Sequence, residues 1–396
     1  MTYSFPNYFN SFGMEYDYII TGGGCAGLSL AVRLQLSSQL RDKKILILDR
    51  ERKTRNDRTW CFWEQKPDLF EPVVYRQWNR LFFHGEDFSE QLDISPYAYK
   101  MIRGIDFYNY CYQRLESSKN VSFAYGDLER IINHPSSVSV MAGGQTFHAK
   151  YLFNSIHGLS LEKPELQPRH HYLMQHFKGW FIRTDTPFFN SASATLMDFR
   201  VSQQHGTTFV YVLPFSDREA LVEYTLFTQQ LLPHDAYNQA LREYVTNWLK
   251  LPGYQVLEEE FGIIPMTDYP FHSPEGRIVP LGTAGGQTKA SSGYTFRYIQ
   301  KHSTQLVAQL EETGTPFLPT SFAEKRYRLY DATLLRILAK NRLPGHQIFT
   351  WLFQRGDPQR LLKFLDNETN FFEEVNVLRR MPQWPFAKAA FQELIK

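Results

Sequence analysis

Three glycines and one acid carry the first recognisable chemistry of this sequence. In Tyr16-Asp-Tyr-Ile-Ile-Thr-Gly-Gly-Gly-Cys-Ala-Gly-Leu-Ser-Leu-Ala31, Gly22, Gly24 and Gly27 stand in a G-x-G-x-x-G spacing. Gly22 suits a tight turn, Gly24 lets the backbone approach a pyrophosphate, and Gly27 lets a helix pack closely on a strand. Gly23, Cys25 and Ala26 complete the loop, where free N–H groups at a helix N-terminus favour phosphate. Asp49 ends Lys44-Ile-Leu-Ile-Leu-Asp49, 22 residues after Gly27, with Arg50 next to it. A carboxylate at that point grips a ribose 2′-OH. The glycine spacing alone is weak evidence; strand, glycines, helix, strand and acid in that order point to a bound dinucleotide. Glu223 offers a different chemistry. It lies in Leu221-Val-Glu-Tyr-Thr-Leu-Phe227, an apolar strand in which Leu221, Glu223, Thr225 and Phe227 share one face. Burial raises a carboxyl pKa, so Glu223 is either a protonated acid or a solvent-facing strand glutamate.

The elements that must position these groups read as an α/β protein. A length of 396 residues suits two domains, or one with a large insertion. A net charge of +2, with 21% charged residues, implies no global polyelectrolyte partner, and no nucleic acid is expected. Cys25, Cys61 and Cys111 are odd in number and far apart, so neither a disulfide framework nor a metal site is expected, as suits a reducing cytosol. Mean hydropathy is −0.41, and no apolar run reaches the roughly 18 residues of a spanning helix. Residues 1–14 lack the pattern of a signal peptide and read as a loose tail.

Along the chain, Asp106–Glu116 reads as a helix and Val121–Tyr125 as a strand. Ser137–Met141 and Thr146–Leu152 read as a hairpin returning to the nucleotide sheet at Phe153. Trp78–Phe83 alternates like a strand. From 172 onward, Gly179–Thr184, Ala194–Val201 and Thr208–Pro214 suggest an antiparallel sheet, with a helix at His234–Leu249. Arg277–Gly286 is a strand ending in glycines, followed by a helix over Tyr294–Glu311 and a mostly helical region after Ala323.

Five segments in order, Arg58-Thr-Trp-Cys-Phe-Trp63, Met197-Asp-Phe-Arg200, Phe209-Val-Tyr-Val-Leu-Pro214, Leu221-Val-Glu-Tyr-Thr225 and Gly282-Thr-Ala-Gly-Gly-x-x-x-x-Ser-Ser-Gly-Tyr294, resemble the flavin-dependent lycopene cyclases of bacteria and plants. The resemblance runs from Asp17 to Gln300, and more loosely to the end. It implies an FAD-binding Rossmann-like fold of the hydroxybenzoate-hydroxylase and glutathione-reductase type, with an antiparallel substrate sheet and a helical C-terminal region. The implied segments are 15–58, 101–171 and 275–322 for FAD, 59–100 and 172–274 for the substrate layer, and 323–396 for a helical, membrane-facing end. Around the flavin the resemblance places Arg58, Gly282, Thr283 (where related flavoproteins carry an acid), Gly285, Gly286 and Ser292. Arg103 is either an FAD contact or a surface arginine.

The activity implied is lycopene β-cyclisation to γ- and β-carotene, an isomerisation without net redox. Glu223 would be its proton donor, occupying the first acidic place of a family strand whose second place is Tyr224 here. FAD is expected in its reduced form, with NADPH or NADH as reductant, although no second dinucleotide fingerprint is visible. Asp198 is read as an ion-pair partner of Arg200 rather than a catalyst. Glu260 and Asp268 either organise a loop or touch substrate. Lycopene, or another acyclic carotenoid, dissolves in bilayers, so a cytoplasmic protein lying peripherally on a membrane is expected. The candidate face is the basic stretch Lys325–Lys363 with Ile348-Phe-Thr-Trp-Leu-Phe353, its alternative being a solvated face packed on the domain. A flavin monooxygenase, an isoprenoid reductase and a non-catalytic redox flavoprotein are the competing readings.

Overall fold

The computed structural model describes residues 16–156, 169–271 and 274–396; the expected tail at 1–14 lies outside them. The glycine fingerprint sits where β1 (Tyr16–Thr21) turns into α1 (Cys25–Leu36). β1 lies between β2 (Ile45–Asp49) and β11 (Gln145–Asn154), parallel to both, and β8 (Val121–Tyr125) extends the sheet beyond β2. The centres of β1 and β2 are apolar on both faces because Tyr18, Ile20, Ile45 and Ile47 pack in one cluster and Ile19, Leu46 and Leu48 in another. β9 (Leu128–Asn133) and β10 (Val138–Ala142) add antiparallel strands beside β11, and β17 (Ile278–Pro280) pairs with it in parallel. The expected hairpin return is observed, with Phe153 level with Ile20. On the sheet, α1 packs against α2 (Gly104–Glu116) and α4 (Phe296–Thr313).

A second sheet has the order β16-β12-β15-β14-β13-β5-β6. Its strands are β5 (Arg80–His84), β6 (Ser89–Asp93), β12 (Tyr172–Arg183), β13 (Ala194–Asp198), β14 (Thr207–Pro214), β15 (Glu219–Thr228) and β16 (Gln255–Thr267). A small third sheet joins β3 (Thr59–Glu64), β7 (Ala98–Arg103) and β4 (Arg76–Trp78). The alternating run Trp78–Phe83 is therefore two strands in two sheets. The chain breaks at Asn79, whose carbonyl accepts from Ile94 N and whose amide donates to Tyr97 O.

β15 shows why its sequence is apolar on both sides. Ala220, Val222, Tyr224 and Leu226 pack in a cluster with α3 (His234–Tyr244), while Leu221 and Phe227 face a separate core. That second core is closed by α5 (Phe322–Ala339), α6 (Gly345–Gln354), α7 (Pro358–Leu365), α8 (Phe371–Leu378) and α9 (Gln383–Leu394). Ser321 and Glu324 form a capping box on α5, and Asn370 and Glu373 form one on α8. Phe353 stacks on Phe83 with ring centroids 4.4 Å apart, and Phe349 lies against Phe199.

Those contacts relocate the apolar residues expected to face a membrane. Ile348, Phe349, Leu352, Phe353, Leu335, Ile337 and Leu338 are buried core. Four of the neighbouring cations are engaged within the protein: Arg326 with Glu374, Arg336 with Glu393, Lys363 with Glu373 and Arg342 with Gln392. Here the basic amphipathic stretch packs on its own domain. No helix among the described residues is long and apolar enough to cross a membrane.

Candidate active site

A single cavity of about 710 Å³ is lined by both groups with which the sequence analysis began. At one end it meets Gly22, Gly24, Cys25, Ala26, Asp49 and Arg58. Gly282, Thr283 and Ser292 line it from the second glycine-rich loop. Farther in lie Glu223, Glu260, Cys61 and the tyrosines Tyr99, Tyr211 and Tyr294.

The fingerprint glycines divide into two roles. Gly22 has φ +95°, and a Cβ there would lie 2.1 Å from Ser155 Oγ. A Cβ on Gly27 would lie 2.0 Å from the Gly22 carbonyl oxygen. Both are fixed by the turn and by helix–strand packing. Gly24 has nothing within 4 Å of an added Cβ, so its bareness leaves room over the loop without easing any internal contact. Asp49 Oδ2 accepts from Gly23 N at 2.7 Å, which holds the acid at the loop.

Two buried polar atoms fit a polar-edged ring system lying in this cavity. Gln175 Oε1 and Ser292 Oγ belong to residues 6% and 4% exposed, and both atoms lack a protein partner. Each is costly to bury unmet, and both residues line the cavity. The donor and acceptor set, the open Gly24 and the acid at the end of β2 therefore suit a flavin dinucleotide.

Glu223 lies on the cavity face of β15, as its alternation predicts. Across the sheet, Tyr211, Glu223, Gly179 and Glu260 form one transverse row through β14, β15, β12 and β16. Thr225 Oγ1 donates to Glu223 Oε1 at 2.9 Å, and Thr59 Oγ1 donates to Glu260 Oε2 at 2.9 Å. Desolvation pushes the Glu223 carboxyl well above the usual carboxylate range, and the Glu260 charge adds to it. Burial also raises Glu260. Each carboxyl is thereby biased toward its protonated form, Glu223 the more so because the Glu260 charge opposes its ionisation. Tyr211 and Tyr99 are raised by burial too and stay neutral; their hydroxyls lie 3.4 Å and 3.5 Å from that of Tyr294.

Other expected site residues lie elsewhere. Arg103 is not on the cavity wall: it ends β7, pairs with Asp106 through two hydrogen bonds of 2.6 and 3.0 Å, and lies over Tyr75. Arg50 is exposed. Gly285 and Gly286 lie behind the lining, where a Cβ would meet Pro280 O and the Phe271 ring respectively. Asp198 forms the expected ion pair, receiving Arg200 Nε at 2.9 Å and Nη2 at 2.6 Å, with Tyr244 OH at 2.8 Å. Asp268 accepts from His171 N and Lys396, away from the cavity. Gly179, Gln175 and the three tyrosines were not singled out from sequence. An isolated glycine inside a strand is a signal of close approach, and Gly179 carried it.

The parallel sheet with its glycine loop, the second antiparallel sheet and their shared cavity define a fold of the FAD-binding Rossmann-like class. A solved flavoprotein/dehydrogenase from Cytophaga hutchinsonii has the same fold, with TM-score 0.63 over 95% of this chain and 99% of that one, at 11% identity. The chain belongs to the lycopene cyclase family, whose model, described as lycopene cyclase protein, matches residues 17–391. A lycopene beta-cyclase of Pseudescherichia vulneris is 28% identical over 209 residues, 49% of this chain and 53% of that protein, so the match spans about half of that relative's length. A lycopene beta-cyclase of Paracoccus sp. (strain N81106 / MBIC 01143) is 24% identical over 325 residues, 77% of this chain and 76% of that protein.

Proposed function

We propose that this protein is a lycopene β-cyclase, an intramolecular lyase that closes the open ends of lycopene into β-rings by proton transfer without net redox change. The observation that carries the reading is Glu223: a carboxyl whose pKa desolvation raises, in the same cavity as the dinucleotide glycines. Its O–H bond breaks as a new C–H bond forms on the terminal alkene. The π pair of the neighbouring double bond then closes the ring C–C bond. Loss of a ring proton to the carboxylate leaves the ring double bond, so atoms and electrons balance.

Around the reacting carbons, Tyr99, Tyr211, Tyr294 and Phe177 exclude water and present aromatic faces to the positive charge. The fingerprint loop, Asp49, Arg58, Gly282, Thr283 and Ser292 would hold FAD, which in its reduced form would supply negative charge that stabilises a cation. NADPH or NADH would be the source of that reduction. Phe261 and Ile263, 45% and 46% exposed, both line the cavity. They are the apolar rim through which a carotenoid enters from a membrane surface, with the protein peripheral on its cytoplasmic side.

Expression in a lycopene-accumulating host, followed by pigment chromatography and mass spectrometry, tests the reading. Wild type should give γ- or β-carotene at unchanged mass. Glu223→Gln should retain FAD and lose about 10²–10⁴ in rate. A product carrying added oxygen or hydrogen would sink the proposal, as would near wild-type cyclisation by Glu223→Gln.

A further inference from the structure

We propose that Glu223 and Glu260 work as one proton-sharing carboxyl pair, brought together by the absence of a side chain at Gly179. The inference rests on the cyclisation reading for its chemistry, but its geometry is independent of it.

In the register, Gly179 is directly opposite Glu223 on one side and Glu260 on the other. Directly opposed residues project to the same face, so two glutamates flank a gap one residue wide. A Cβ placed on Gly179 would lie 2.9 Å from Glu260 Cγ, 3.1 Å from Glu260 Oε1 and 2.8 Å from Leu221 Cδ1. Any larger residue would press on the Glu260 side chain from the Glu223 side. Each glutamate receives one threonine hydroxyl, and Glu260 Oε1, buried, receives no protein donor. A proton on Glu223 supplies that donor, and the two side chains are within hydrogen-bonding reach.

The groups facing the pair do not neutralise it. Cys61 comes from β3, Tyr99 from β7, Tyr211 from β14 and Tyr294 from the second glycine loop, each held neutral by burial. Along β16, Glu258 adds negative charge. Arg58 lines the same cavity, on the side of the fingerprint loop, where it acts on Cys25 and Tyr108. With one proton the pair carries a single negative charge. On giving the proton to an alkene it carries two, facing the carbocation it has just made. On taking the ring proton back it returns to one. The pair thus strengthens its field only while the cation exists, the differential stabilisation that accelerates a step.

Infrared difference spectroscopy of the FAD-loaded protein, in H₂O and D₂O, reads the carboxylic C=O band directly, and the alkaline limb of kcat reads it in turnover. In wild type one carboxyl per chain should remain protonated at neutral pH, and Glu223→Gln should remove its band. Glu260→Gln removes a like charge, so the Glu223 band and the alkaline limb should both move down by about one pH unit or more, with FAD content unchanged. Gly179→Ala should move them in the same direction. If Glu260→Gln shifts neither by more than about 0.3 unit, the pair is refuted even where cyclisation persists. A pair that titrates as described in a protein making no cyclised carotenoid supports the pair and overturns the cyclase reading alone.

Discussion

Replacing Gly24 separates cofactor binding from folding more cleanly than any other change in the fingerprint. Gly24 is the N-cap of α1 at φ −91° and ψ −164°, a backbone conformation open to any residue, and its Cβ direction is empty to 4 Å. No side chain caps the helix there, so Gly24→Val forfeits no hydrogen bond of its own. Apolar residues are poor N-caps, at about 1 kcal/mol or less. In a chain of this size that moves the melting temperature by only about 2–4 °C. What valine occupies is the approach to the loop N–H groups. Losing one or two hydrogen bonds to a charged phosphate, each worth about 1.5–3 kcal/mol, weakens binding by roughly 10- to 10³-fold or more. Gly27→Ala is the control. Its methyl would overlap the Gly22 carbonyl at 2.0 Å, a backbone clash that no rotamer relieves, costing on the order of 3 kcal/mol. Thermal unfolding of the FAD-free proteins, paired with fluorescence titration by FAD, should show Gly24→Val near wild type in stability and poor in binding, and Gly27→Ala poor in both. Full FAD occupancy in Gly24→Val would show that the phosphates do not lie over this loop. Equal destabilisation of the two variants would undo the division of roles among the glycines.

Two further outcomes follow from buried or displaced charges. His176 is fully buried between Thr228 Oγ1 at 2.7 Å and Tyr237 OH at 2.6 Å, and burial pushes its pKa down to about 4. The unfolded chain takes up that proton near pH 6.5, so the stability from neutral His176 is present above about 6.5 and is lost as pH falls toward 4, by at most about 3 kcal/mol. Urea unfolding between pH 7.5 and 5 should therefore show a shallower pH dependence in His176→Gln than in wild type, and parallel curves would exclude His176 as a source. Arg103→Ala should change FAD affinity less than about twofold and stability by about 0.5–1 kcal/mol, the scale of a half-exposed pair, because its guanidinium is spent on Asp106 and Tyr75. A tenfold loss of FAD affinity, measured by the same titration, would restore it to the cofactor site.

What was legible in the sequence was local. The fingerprint works through residues adjacent in the chain, so Gly22, Gly24, Gly27 and Asp49 could be assigned from spacing. The face of Glu223 followed from a period of two. Its partner did not, because the meeting of Glu223 with Glu260 depends on the order β16-β12-β15, and strand periodicity carries no information about which strand lies beside which. The C-terminal stretch shows the same limit in helices. Amphipathicity identifies an apolar face but not what covers it; here Phe83 and Phe227 of the large sheet, with Phe199 at the end of β13, meet the rings of α6. Arg103 stayed open between two readings because its place at the start of a helix is equally suited to an i,i+3 pair with Asp106, the pair the structure shows.

The distribution of charge along the cavity bears on whether one chamber can hold a dinucleotide and also steer a cation. The cationic side chains lining it are Lys53 and Arg58, both near the fingerprint: Lys53 is 3.9 Å from Asp49, and Arg58 acts on Cys25 and Tyr108. That end suits a pyrophosphate. At the other end the ionisable groups are two carboxyls, a thiol and three neutral tyrosines. A guanidinium beside Glu223 would lower its pKa and spend its proton before a substrate arrived. It would also repel the carbocation formed next. Keeping the cations at the loop, among Asp49 and Asp57, and away from the carboxyls at the sheet meets both demands. The arrangement needs the two glycine loops and the transverse row on β14, β15, β12 and β16 to face a common space, and the fold brings them there from segments up to 270 residues apart, as Gly22 and Ser292.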